Sequence, residues 1–108
     1  MSKTLVQSVE QFEELAKENG TFLLFKNSIT CPISHAAYEE FENFAADHNE
    51  IPLYYLHVQE ARSLSNYIAE TYAIKHESPQ ALLFKDGKVV WDASHWNITY
   101  SSLEENVK

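Results

Sequence analysis

Glycine is nearly absent from this 108-residue chain, which holds only Gly20 and Gly87. Loops that cradle phosphate groups need several glycines so that the backbone can approach the anion, and a nucleotide-binding loop is therefore excluded. Proline occurs three times, and with so few breakers the linker-like, collagen-like and disordered readings fall away. Basic residues are also scarce: 8 Lys and Arg stand against 16 Asp and Glu, a net charge of −8. That field repels phosphodiester backbones and anionic headgroups, so neither nucleic acid nor a membrane is an expected partner. No apolar run is long enough for a signal sequence or a membrane span. One cysteine cannot close an internal disulfide, which a small secreted domain normally needs, so a soluble protein of the reducing cytoplasm is expected. What the chain does have is 44% apolar and 13% aromatic residues, enough to fill a core, and its length predicts one domain over residues 1–108.

Hydrophobic periodicity orders the chain. Ser8 signals a helix start, with Gln11 three residues on in a capping-box pattern, and Val9, Phe12, Leu15 and Ala16 share one face of a helix over 9–18. Asn19-Gly20 predicts a left-handed stop. Thr21 to Lys26 is apolar on both alternating faces, as a central strand covered on two sides requires. A polar loop, 27–32, ends in a proline well suited to the first position of a following helix that reaches about His48, with Ala37, Phe41, Phe44 and Ala45 inward. A strand over 53–58 follows, entered through Pro52 at an edge. A helix over 62–72 comes next, with Leu64 and Ile68 inward. Ala81–Lys85, Asp86-Gly87 and Lys88–Trp91 spell a hairpin, and a last helix is expected over about 99–107. This order predicts an α/β protein whose four-stranded mixed sheet, parallel early and antiparallel late, is flanked by helices. Tyr54, Tyr55, Tyr67 and Tyr72 fall at spacings that packing explains.

Cys31 stands between a central strand and a helix, where open α/β sheets present reactive groups. If it caps that helix, the free amides of Ile33 and Ser34 and the positive end of the helix dipole favour thiolate over thiol. Cysteines so placed ionise well below the pKa of a free thiol. Ser34 and Thr30 offer hydroxyl donors toward the sulfur, and Pro32 sets the first helical turn. His35 is four residues on and would help as an imidazolium, although a solvated helix histidine is the simpler reading. Among His35, His48, His57, His76 and His95 no pair has the i, i+4 spacing of a zinc helix, so no metal is expected. A lone cysteine is also commonly a small buried hydrophobe, and that reading stays open here.

Two segments carry a family likeness. Thr30-Cys31-Pro32-Ile33-Ser34 and the run from Ile74 to Lys88, with Ser78-Pro79 before Phe84-Lys85-Asp86-Gly87-Lys88, together resemble the thioredoxin fold. Ser34 occupies the place of the second thioredoxin cysteine, and in this the chain is similar to the YtxJ-type monothiol bacilliredoxins, whose Thr-Cys-Pro-Ile-Ser motif it matches at 30–34. The resemblance implies a cis proline at Pro79, packing against Cys31, and a substrate-binding edge formed by Thr30, Ser78 and Pro79. It further implies that Cys31 is the catalytic thiol, stabilised by Pro32, Ile33 and Ser34, of an enzyme that removes bacillithiol from protein mixed disulfides. The partners would be bacillithiolated client proteins, bacillithiol as co-substrate with no tightly bound cofactor, and an external thiol or disulfide reductase that resolves the intermediate. Three rivals are a glutaredoxin-like protein holding an iron–sulfur cluster, in which Pro32 departs from the expected glycine, a binding module without turnover, and a peroxide sensor.

Overall fold

In a computed structural model, which describes residues 3–48 and 50–107, the chain runs β1 (Lys3–Leu5), α1 (Val9–Glu18), β2 (Thr21–Asn27), α2 (Pro32–Asp47), β3 (Leu53–His57), α3 (Arg62–Thr71), β4 (Gln80–Lys85), β5 (Lys88–Ser94), a short 3₁₀ turn (His95–Asn97) and α4 (Tyr100–Val107). The sheet order is β1-β3-β2-β4-β5. β1 and β2 lie parallel to β3, whereas β4 is antiparallel to β2 and to β5. The sheet is mixed as expected but has five strands rather than four. The extra strand, β1, pairs Lys3, Thr4 and Leu5 with Leu53, Tyr54 and Tyr55. Three residues with one aliphatic side chain are too short to show a period of two, which is why the sequence pattern does not reveal it.

β2 occupies the centre, and its alternation sorts the core into two layers. Phe22 and Leu24 face α1 and α3 with Phe12, Leu15, Leu64 and Ile68, while Leu23 and Phe25 face α2 and α4 with Phe41, Phe44 and Leu103. Each fully buried Phe or Leu contributes roughly 1.5–3 kcal/mol, so packing on both faces holds the carboxyl end of β2 rigidly. Phe22 stacks on Phe84 at 4.6 Å between ring centroids, and Phe12 meets both rings edge-on.

Local signals are realised with two differences. Ser8 Oγ accepts the Gln11 amide at 3.1 Å, but the Gln11 side chain reaches one residue further back than a capping box, accepting the Gln7 amide at 3.0 Å. The end of α1 is not left-handed: Asn19 has an extended φ of −123°. Its backbone and side-chain amides both donate to the Leu15 carbonyl, at 3.0 and 2.9 Å, a double cap that makes a left-handed turn unnecessary. The hairpin turn matches its sequence, with φ of +52° at Asp86 and +82° at Gly87, the signs of a type I′ turn that matches strand twist.

Candidate active site

β2 ends at Asn27, and the following loop delivers Cys31 to the N-cap position of α2, with Pro32 in the first helical turn. Proline fits there because its missing N–H is one that no carbonyl would have received. The half-buried thiol makes no capping hydrogen bond of its own. Its pKa is nevertheless lowered, first by the Ser34 amide, then by the Ile33 amide, with partial desolvation opposing and the Ser34 hydroxyl assisting. Both amides belong to the set that every helix start leaves without an internal partner. Ser34 is fully buried, and its Oγ accepts the Ser28 amide at 3.3 Å. Pro32 offers no donor, so its part is to shape the turn. His35 is exposed and pairs with Glu39 at 3.6 Å, the solvated helix histidine expected, and it takes no part in the depression of the thiol.

The loop that carries Cys31 is clamped from β3. Gln59 lies two residues beyond that strand and spends its whole amide on the loop. Its Oε1 accepts from Ile29 N at 3.1 Å, and its Nε2 donates to Ser28 Oγ at 2.7 Å and Thr30 Oγ1 at 3.2 Å. The Thr30 hydroxyl is therefore an acceptor for Gln59 and adds nothing to the thiol's depression, contrary to the expectation that it donates to the sulfur. Beside Gln59, Asn27 Nδ2 meets His57 Nδ1 at 3.1 Å, joining the paired ends of β2 and β3.

The segment before β4 lies at the same end of the sheet as the end of β2, where Lys26 faces Gln80. The Ser78–Pro79 peptide bond is cis. Ser78 Oγ is buried and has no hydrogen-bond partner among the described residues, an unsatisfied polar group that calls for an explanation. The Pro79 carbonyl accepts the amide of His95 at 3.1 Å, tying the 3₁₀ turn to this segment. Two large apolar side chains are exposed on these segments: Ile29, two residues before Cys31, is 52% exposed, and Trp96, next to His95, is 69% exposed.

Gln59, Lys26 and His95 escape sequence reading because their partners lie far along the chain, and only the lysine closing an apolar run is unusual enough to stand out. Among the described residues no group of three or more His, Cys, Asp or Glu could hold a metal ion, and no helix is long and apolar enough to cross a membrane.

A parallel-then-antiparallel sheet with a thiol at the start of α2 and a cis proline opening β4 defines the thioredoxin fold, and known structures agree. A candidate oxidoreductase with a thioredoxin fold superposes with a TM-score of 0.88 at 43% identity, over 95% of this chain and 91% of that one. Mitochondrial thioredoxin 3 of Saccharomyces cerevisiae follows at 0.76 and 15% identity, over 96% and 92% of the two chains. Fasciola hepatica thioredoxin superposes at 0.77 and 19%, over 99% and 96%. The chain is thus a thioredoxin-fold protein of thiol oxidoreductase type. Residues 4–103 match the model of the monothiol bacilliredoxin BrxC family, and the chain belongs to that family.

Proposed function

We propose that the protein is a monothiol thiol–disulfide oxidoreductase that removes bacillithiol from protein mixed disulfides in the reducing cytoplasm. One observation carries the reading: a single thiol, biased toward thiolate by the Ser34 and Ile33 amides, has a buried serine where a resolving thiol would stand. The Cys31 thiolate attacks the bacillithiol sulfur of the client disulfide. The client–bacillithiol S–S bond breaks, a Cys31–bacillithiol S–S bond forms, and the client leaves as a thiolate that takes a proton from water. Ser34 cannot expel the adduct, so a second thiol must attack it. Free bacillithiol would leave as bacillithiol disulfide and return Cys31 to the thiolate, and an external dithiol reductase would take the same electrons through its own disulfide.

In this reading Pro32 holds the turn, Ile33 and Ser34 stabilise the sulfur's charge, and Thr30, Ser78 and Pro79 form the edge that receives the low-molecular-weight thiol. The unpartnered Ser78 hydroxyl supports that assignment. The test is to incubate the protein with a bacillithiolated client and follow both masses. The bacillithiol mass should leave the client and appear on Cys31, and a Cys31→Ser variant should leave the client modified. Removal that persists in the variant defeats the proposal.

A further inference from the structure

Lys26, the penultimate residue of β2, is fully buried. It continues the alternation that points Phe22 and Leu24 at α3, and its Nζ donates to the Ser65 carbonyl at 3.1 Å and meets His76 Nδ1 at 3.4 Å. Ser65 Oγ reaches the same ring nitrogen at 3.2 Å. An ammonium only donates, so Nδ1 accepts and the ring proton sits on Nε2. Partial desolvation of the ring on its Lys26 side, and then the Lys26 charge, lower the imidazole's pKa, consistent with a neutral ring.

The strand register brings a second tether to the same segment. Lys26 lies opposite Gln80 in the β2–β4 ladder, and Gln80 Nε2 donates to the Lys75 carbonyl at 3.1 Å while its Oε1 accepts the Glu77 amide at 3.3 Å. Residues 75–77 are thus held by two facing residues of the sheet, and they run directly into Ser78 and Pro79. The energetics point the same way. The ammonium's partners are a carbonyl and a neutral imidazole, and only desolvation acts on its ionisation. An apolar residue of similar size avoids the cost of burying a charge, so stability does not account for the lysine, whereas a fixed approach to Ser78 does.

We propose that Lys26 is a positioning residue for the Cys31 site: its ammonium, bridging Ser65 on α3 and His76, fixes the segment that presents Ser78 and Pro79 to the group bound at Cys31. That Ser78 and Pro79 face the group bound at Cys31, and what that group is, rest on the function proposed above, whereas the tethering of residues 75–77 by Lys26 and Gln80 does not. The test uses Lys26→Met, which keeps the length and loses the charge, and His76→Ala, which removes the exposed end of the bridge. Hydrogen exchange of the Glu77 amide, which Gln80 holds, should accelerate roughly 10-fold or more in each, and the double variant should add little to either. Iodoacetamide should alkylate Cys31 at the wild-type rate and with the same pH midpoint, while KM for a bacillithiolated client rises roughly 10-fold with kcat less affected. Exchange at the wild-type rate in Lys26→Met overturns the proposal, as does a shifted alkylation midpoint, which would mean that the charge acts on the sulfur itself. If the wild-type protein transfers no bacillithiol, the function proposed above fails while the exchange measurement still decides the role of Lys26.

Discussion

Ser34 is joined to Ser28 by a 3.3 Å bond in which its hydroxyl accepts the Ser28 amide, leaving its own proton to face the Cys31 sulfur. The serine thus ties the loop before the thiol to the helix after it. Ser34→Ala leaves the Ser28 amide without that acceptor and the sulfur without the hydroxyl. We expect a stability loss of about 1 kcal/mol in denaturant melts and a Cys31 alkylation midpoint displaced upward. Ser34→Cys restores a resolving thiol, and after oxidation its intact mass should fall by a pair of hydrogens. An unchanged midpoint in the alanine variant would remove the Ser34 hydroxyl from the stabilisation of the thiolate and leave the Ser34 and Ile33 amides to account for it.

The thiol's depression from its ordinary 9.0 sets a pH dependence of known sign. Iodoacetamide attacks the thiolate, so the alkylation rate should rise with pH and level off at a midpoint below 9.0. For stability, an acid whose folded pKa lies below its unfolded one contributes above the unfolded value and loses that contribution as pH falls through the folded value. Wild type measured against Cys31→Ser should therefore gain stability as pH rises through the window ending near 9.0. A difference that is flat with pH would mean that the helix start does not act on the sulfur.

The layers and the location of the thiol were legible in the sequence because they rest on local pattern. The double-faced run at 21–26, the proline at 32 and the Asp-Gly turn at 86–87 each need only neighbours to be read. Cys31 at a helix start also follows from local order, and so do the amides of Ile33 and Ser34. What was hidden depends on distance along the chain. β1 exists because β3 offers an edge 50 positions away, in a register of Lys3 with Leu53. Gln59 resembles any polar loop residue until folding brings Ser28, Ile29 and Thr30 around it. The end of α1 misleads because an asparagine side chain can cap a carbonyl as well as favour a left-handed bend.

Gln59 contacts no catalytic atom, yet its amide satisfies three groups on the loop that carries the thiol. Gln59→Leu keeps the bulk and removes those bonds, at about 1 kcal/mol for each well-made bond lost and less where water replaces it. We expect a stability loss of about 1–2 kcal/mol and faster hydrogen exchange at Ile29. Thiol transfer should slow while small-molecule alkylation of Cys31 stays close to wild type. Full retention of transfer would show that the loop holds its shape without the clamp.

Lys26 makes a prediction about stability that runs against the usual direction of mutation. Burial pushes its pKa from 10.5 down to about 8, so between those values the unfolded chain holds a proton that the folded chain has released. Folded stability attributable to this group therefore rises with pH across the window and carries its full penalty below about 8, a penalty whose ceiling is roughly 3 kcal/mol. Lys26→Met should be the more stable protein at pH 7, by about 1–3 kcal/mol, with an advantage that narrows toward pH 10. Tyr38, Tyr67, Tyr72 and Tyr100, all with raised pKa values, titrate in both proteins and largely cancel in the difference. A methionine variant that is less stable at neutral pH would make the ammonium a structural prop. A more stable variant with a loosened 76–78 segment would show a charge kept at the expense of stability for the geometry it imposes.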